Sequence, residues 1–161
     1  MRLAPLLLSL ISATALVACA PQDSGATAAP QALAAHPVSG LRVIPLTVQA
    51  GGTTHRFRVE VAESAEAQAR GLMFRTEMGA DEGMIFPYAA PQQLSFWMRN
   101  TVLPLDLVFI GADKRVINVS ANAVPYSEAQ LMSDGPAIAV LELNGGRAAQ
   151  LGIGPGAVVS W

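Results

Sequence analysis

The chain has little of what most catalytic and metal chemistries require. Cysteine occurs once in 161 residues, at Cys19, so neither an intrachain disulfide nor a thiolate metal cluster can form. Histidine occurs twice, as His36 and His55. A closed zinc site wants several Cys or His ligands, and a hydrolase triad wants a base beside its nucleophile; neither set is present. Ten Lys/Arg stand against twelve Asp/Glu, with no basic run, which excludes the clustered positive face that a nucleic-acid backbone demands. Gly152, Gly154 and Gly156 lack nucleotide-loop spacing and precede the last strand pattern instead of opening a helix, so they read as turn residues.

What is present begins with an address. Met1 and Arg2 form a short positive start, Leu3 to Val17 an apolar run, and Ala18 a small residue before Cys19. The run is too short to be read as a spanning helix and has the layout of a secretory signal. Leu16, Val17, Ala18 and Cys19 resemble a bacterial lipobox. That resemblance implies cleavage before Cys19, acylation of the new N-terminus and, with Ala20 following, sorting to the outer membrane facing the periplasm. The chain is therefore expected to divide into a signal peptide over 1–18, a tether over 19–37 and a globular domain over 38–161. The tether is Ala, Pro, Gln, Ser, Gly and Thr with almost no large apolar side chain, too little to offset its ordering entropy. His36 falls in it, away from any expected site.

Within the domain, Leu41 to Gln49 and His55 to Ala62 read as a hairpin around Ala50, Gly51 and Gly52. In the second run Phe57, Val59 and Val61 share one face, and Arg56, Arg58 and Glu60 the other, which is expected to be exposed. Ser64 can cap a helix over Ala65 to Arg70, with Glu66 in its first turn and Gly71 as its stop. Leu72, Met73 and Phe74 are expected in the core. Met84 to Phe86 forms a short buried strand before Pro87, and Leu105 to Ile110 another after Pro104. Arg115 to Ala121, Ile138 to Leu143 and Ala157 to Trp161 follow as strands, with a short helix opening near Gly146. Asn122 to Pro136 reads as a long polar loop.

The stretch Leu94 to Ile110 concentrates the candidate chemistry. Trp97, Arg99, Asn100 and Thr101 lie beside a single carboxylate, Asp106, set in an apolar strand where an unpaired charge is costly. Glu142 is the second carboxylate alone on an apolar strand, and Arg75 follows an apolar triplet with no evident partner. Two interpretations stay open. The carboxylates converge with Arg75 or Arg99 on a pocket, where they bind a polar molecule or one acts as a general acid on envelope glycans. Alternatively Asp106 and Glu142 cap turns or pair with arginines. Met73, Met84 and Met98 offer thioethers suited to Cu(I), but each sits beside Leu, Ile, Phe or Trp, as core-filling methionines do.

The ordered set Arg70-Gly71-Leu72-Met73-Phe74-Arg75, Gly83-Met84-Ile85-Phe86, Phe96-Trp97-Met98-Arg99-Asn100-Thr101, Pro104-Leu105-Asp106 and Leu141-Glu142-Leu143 with Gly145 resembles the domain-of-unknown-function family 192, DUF192, over residue 54 to the C-terminus. Arg99, where lysine is common, and Ile85, where leucine is common, depart from its pattern. The resemblance implies a compact α+β domain, often exported, and no established reaction. Together with the strand pattern it leads to the expectation of one β-dominated domain: a mixed, barrel-like sheet of about seven to nine strands with two short helices. The expected function is a non-catalytic module that uses no cofactor or metal. It is anchored to the membrane through Cys19 and binds a small ligand or an envelope protein through Trp97, Arg99, Asn100, Thr101 and Asp106, with Arg75 and Glu142 beside them. A purely structural adaptor would instead present an apolar patch.

Overall fold

The computed structural model describes residues 35–161; the expected signal segment, Cys19 and nearly all of the expected tether lie outside the described residues. Ala35, the first described residue, bridges Arg42, three residues before the expected start at Val38. Strands β1 (Val43–Ala50) and β2 (Thr53–Val61) pair antiparallel in the expected hairpin. Its two turn residues, Gly51 and Gly52, both have positive φ, 54° and 80°, the backbone twist that two-residue hairpins favour.

Helix α1 (Ala65–Arg70) is capped as its sequence predicts: Ser64 Oγ accepts from the Ala67 N–H, and Gly71 closes the other end with φ 47°. The helix carries the chain across, so that β3 (Glu82–Gln92) returns parallel to β2. Then follow β4 (Ser95–Phe96), β5 (Leu105–Ile110), β6 (Val116–Ala123), β7 (Leu131–Met132), β8 (Ala137–Asn144), α2 (Arg147–Gln150) and β9 (Val158–Ser160). Seven strands form one mixed sheet in the order β6-β5-β8-β3-β2-β1-β9, and β4 pairs with β7 outside it. The expected barrel is corrected to an open sheet. Its end strands, β6 and β9, meet near an isolated Arg115–Val158 bridge, and no ladder runs between them.

The sheet buries both of its faces, which is why all six residues of β5 are inaccessible. One core contains Leu46, Val48, Phe57, Val59, Ile85, Val108, Ile110, Leu141 and Leu143. The other contains Met84, Phe86, Leu105, Leu107, Phe109 and Val140, covered by Leu72, Leu94 and Met98. Met84 and Met98 thus pack as core side chains. Two local expectations are corrected. Phe74 does not enter the core: it is 62 % exposed, with φ 62°, because the chain turns sharply after α1 and its N–H is held by the Asn100 carbonyl. Glu60, on the face assigned to solvent, is buried.

Candidate functional site

Strand pairing decides where the two lone carboxylates point. Asp106 is in register with Leu143, whereas Leu107 is in register with Glu142. Residues opposite one another share a face and neighbours along a strand alternate, so Asp106 and Glu142 lie on opposite faces of the sheet. They cannot converge on one pocket, and the paired-carboxylate arrangement considered from sequence is not formed.

Asp106 is fully buried against the turn that leads into α2. Its Oδ1 accepts from the backbone N–H groups of Asn122 at 2.8 Å and Gly146 at 2.9 Å, and its Oδ2 from that of Ala148 at 2.8 Å. A carboxylate is an acceptor with room for several such bonds, and here it satisfies the donors that a helix start leaves orphaned. Asp106 therefore fastens β5 to the β6 and α2 ends. The turn it caps is the one before α2.

Arg75 is also committed inside the protein. Its guanidinium meets Glu60 in a two-pronged pair, Nη1 to Oε1 at 2.9 Å and Nη2 to Oε2 at 3.1 Å, with both side chains buried. His36, assigned to the tether, lays its ring against this pair, with Nε2 3.4 Å from Arg75 Nη1. Arg99 pairs with Glu128 at the surface, Nε to Oε1 at 3.0 Å, which raises the basicity of the guanidinium and lowers the pKa of the carboxyl. The Arg99 Cζ stands 4.6 Å from the Trp97 ring centroid. Asn100 takes positive φ, 56°, and Thr101 is buried, its hydroxyl donating to the Arg99 carbonyl. These two shape the turn behind Trp97.

Glu142 and Trp97 do come together, in a groove of about 330 Å³. Alternation along β3 puts Met84, Phe86 and Tyr88 on the face of Glu142, since Met84 and Glu142 are in register. Gly83 permits this close pairing, because a Cβ there would lie 2.5 Å from the Glu142 carbonyl oxygen. Strand β4 lays Phe96 and Trp97 over the same side, and α1 contributes Gln68 and Ala69 to the wall. Phe86 and Phe96 meet edge to face, centroids 5.1 Å apart, which fixes the ring of β4 against the sheet. Trp97 keeps 47 % of its surface open.

The Glu142 carboxyl is 5 % exposed, and its Oε2 is buried with no hydrogen-bond partner. Burial pushes its pKa from the ordinary 4.5 up to about 8, so the acid is mostly protonated at neutral pH. The Tyr88 phenol is raised in turn by burial and by Glu142. Of the residues expected at a site, the groove thus gathers Trp97 and Glu142. Asp106 and Arg75 serve the frame, while Arg99, Asn100 and Thr101 occupy the adjoining surface turn. Sequence reasoning missed Tyr88, Phe86, Phe96, Gln68, Met73 and Gln130. The one signal that points to three of them is the alternation in β3 and β4, and it becomes informative only once β3 is known to pair with β8.

The sequence model of the DUF192 family, described as "Uncharacterized ACR", matches residues 46–161. A protein of unknown function from Novosphingobium aromaticivorans DSM 12444, solved by crystallography, is 57 % identical over 81 % of this chain and 93 % of its own, with a TM-score of 0.79. A protein from Sinorhizobium meliloti 1021 described as a "putative transcription regulator" is 37 % identical over 74 % of this chain and 94 % of its own, with a TM-score of 0.73. No curated protein matches the chain. The family model and these relatives agree with the sequence pattern, and the chain belongs to the DUF192 family.

Proposed function

We propose that the protein is an envelope lipoprotein, held through an acylated Cys19 and facing the periplasm from the outer membrane, whose domain binds a small ligand in the groove between β3, β4 and α1 without transforming it. The observation that carries this reading is Glu142: a buried acid with an unpartnered oxygen, at the floor of a groove walled by aromatic rings. A protein leaves such a group unpaired at a cost, and the default explanation in a concave cavity lined by aromatic and amide side chains is a partner from outside. The volume lies at the lower end of ligand pockets, which limits the occupant to a small molecule or a single side chain. Trp97 provides a stacking surface at the rim, and Gln68 and Gln130 provide amides.

Catalysis on glycans with two carboxylates has no support in this arrangement, because Asp106 lies on the opposite face with both oxygens occupied. The binding reading is tested by native mass spectrometry and thermal shift against a panel of neutral, anionic and cationic small molecules. Ligands of the groove stabilise the wild type and lose their effect in Trp97→Ala; a panel in which no compound distinguishes the two proteins sinks it. The anchor is tested separately by mass spectrometry of the mature N-terminus, where an unmodified Cys19 would remove it.

A further inference from the structure

We propose that the groove takes an organic ammonium cation, seated against the rings of Tyr88, Phe96 and Trp97 with the Glu142 carboxylate as its counter-ion. This names the ligand class for the binding function above and rests on it.

The argument begins with what an acid does that an amide does not. If the groove needed only a hydrogen-bonding group at its floor for a neutral ligand, glutamine would serve and would avoid the burial cost of an ionisable side chain. The property peculiar to Glu142 is that it can become negative. Among the described residues, no cation lines the groove to use that charge. The groove's lining contains no Lys, Arg or His. Buried Arg75 is taken by Glu60, Arg147 by Asp81, and surface Arg99 by Glu128 and by the Trp97 ring, over which it stacks at the rim.

The walls suit a cation as well. The faces of aromatic rings are electron-rich and attract an ammonium group set among several of them, most strongly an alkylated one, which has little hydration to replace. Gln68 from α1, Phe86 and Tyr88 from β3 and Phe96 from β4 line the groove with Glu142, and Met84 of β3 and Leu107 of β5 are in register with it on the same face. Tyr88 is the titratable one among them, and its pKa is raised, so it stays neutral through the physiological range. In the empty groove the acid holds its proton. On binding, the O–H bond of Glu142 breaks, the proton leaves to bulk solvent, and the carboxylate that remains pairs with the incoming cation. One positive charge enters as one leaves.

That exchange makes affinity depend on pH in a way no neutral ligand reproduces. The probes are tetramethylammonium and n-butylammonium chloride, titrated into the full chain at constant ionic strength and followed by tryptophan fluorescence and thermal shift. Affinity is expected to rise about tenfold from pH 6 to pH 7 and to level off near pH 8, where the acid ionises on its own. Glu142→Gln, checked for fold by circular dichroism, should lose the binding. Glu142→Asp, which keeps the charge on a shorter stem, should retain part of it. Phosphocholine separates two sources of the same chemistry: binding alongside tetramethylammonium assigns a lipid headgroup, and exclusion assigns a free amine. Ammonium binding that ignores pH, or that survives in Glu142→Gln, overturns the proposal. If neither ammonium salt binds while neutral compounds occupy the groove and require Trp97, the cation class fails and the binding function stands. If nothing binds, both fall.

Discussion

Asp106 and Glu142 sit on adjacent strands, one register step apart, each alone among Leu, Val and Phe, and they come to opposite ends. Asp106 faces the α2 side and is saturated by three backbone N–H groups; Glu142 faces the α1 side, and its buried Oε2 has none. The contrast teaches that an isolated carboxylate in an apolar strand does not by itself mark a site. What marks one is a carboxylate that the fold has not used. Asp106 belongs to the frame and Glu142 to the opening, and each variant below either widens that separation or erases it.

The largest effect is expected at Asp106. Replacement by alanine removes three hydrogen bonds to a charged acceptor, one from a buried amide and two from half-buried ones, at about 1.5–3 kcal/mol each, so Asp106→Ala should lose on the order of 5 kcal/mol in urea denaturation. Asp106→Asn, which keeps one acceptor oxygen, should lose less. A loss below about 1 kcal/mol for the alanine variant would mean that these amides find other partners and that the two carboxylates differ less than their surroundings indicate.

Next comes the pH dependence of Glu142. Its folded pKa is raised above the unfolded value, so the native state holds the proton more tightly than the unfolded chain. Stability from this group is complete below the ordinary 4.5 and is lost as pH climbs toward about 8. The difference in unfolding free energy between wild type and Glu142→Gln isolates it from the other carboxylates. That difference should move against the wild type by about 4 kcal/mol between pH 4 and pH 8.5. An identical pH profile in the two proteins would place Glu142 in a solvated setting and close the case for an unused acid.

A third buried carboxylate, Glu60, shows the intermediate solution: a side-chain partner, Arg75, bound through both oxygens. Breaking such a pair leaves one charge without compensation. Arg75→Met is expected to cost about 3 kcal/mol, and the double variant with Glu60→Leu to recover most of it, since apolar replacement of both members is often neutral. Failure of the double variant to recover would show that His36 and Ser39, which also contact this pair, are the partners that matter.

These cases also show where sequence reasoning stops. The hairpin at Gly51 and Gly52, the Ser64 cap, the Gly71 stop and the inward face of Phe57, Val59 and Val61 were legible because turn chemistry and alternation act within a few residues. The expense of Asp106 was legible too, but its partners come from 16, 40 and 42 residues away and are backbone groups, which have no sequence signature. Glu60 misled because alternation with Arg56 and Arg58 gives the correct face, and only the return of Arg75 covers it. Local period fixes which residues of β5 share a face and which of β8 do. It cannot say that Leu107, not Asp106, is opposite Glu142, and that one-residue difference of register separates a shared pocket from two unrelated environments.

The smallest effect is expected at the rim. Arg99 and Glu128 are exposed, and an ion pair in full solvent is screened by water and salt, so Arg99→Ala should leave the denaturation midpoint unchanged. What should change is the surroundings of Trp97, which loses the guanidinium stacked 4.6 Å from its ring centroid. The tryptophan emission should shift without a change in unfolding, and the shift should shrink in high salt, where Arg99–Glu128 pairing in the wild type weakens and the two spectra draw closer. Removing a cation from the rim should also make an ammonium ligand bind somewhat better, since like charges within a Debye length repel. If Arg99→Ala instead destabilised the protein as Asp106→Ala does, the rim would be part of the frame, and Trp97 would owe its position to a structural pair instead of standing free to receive a ligand.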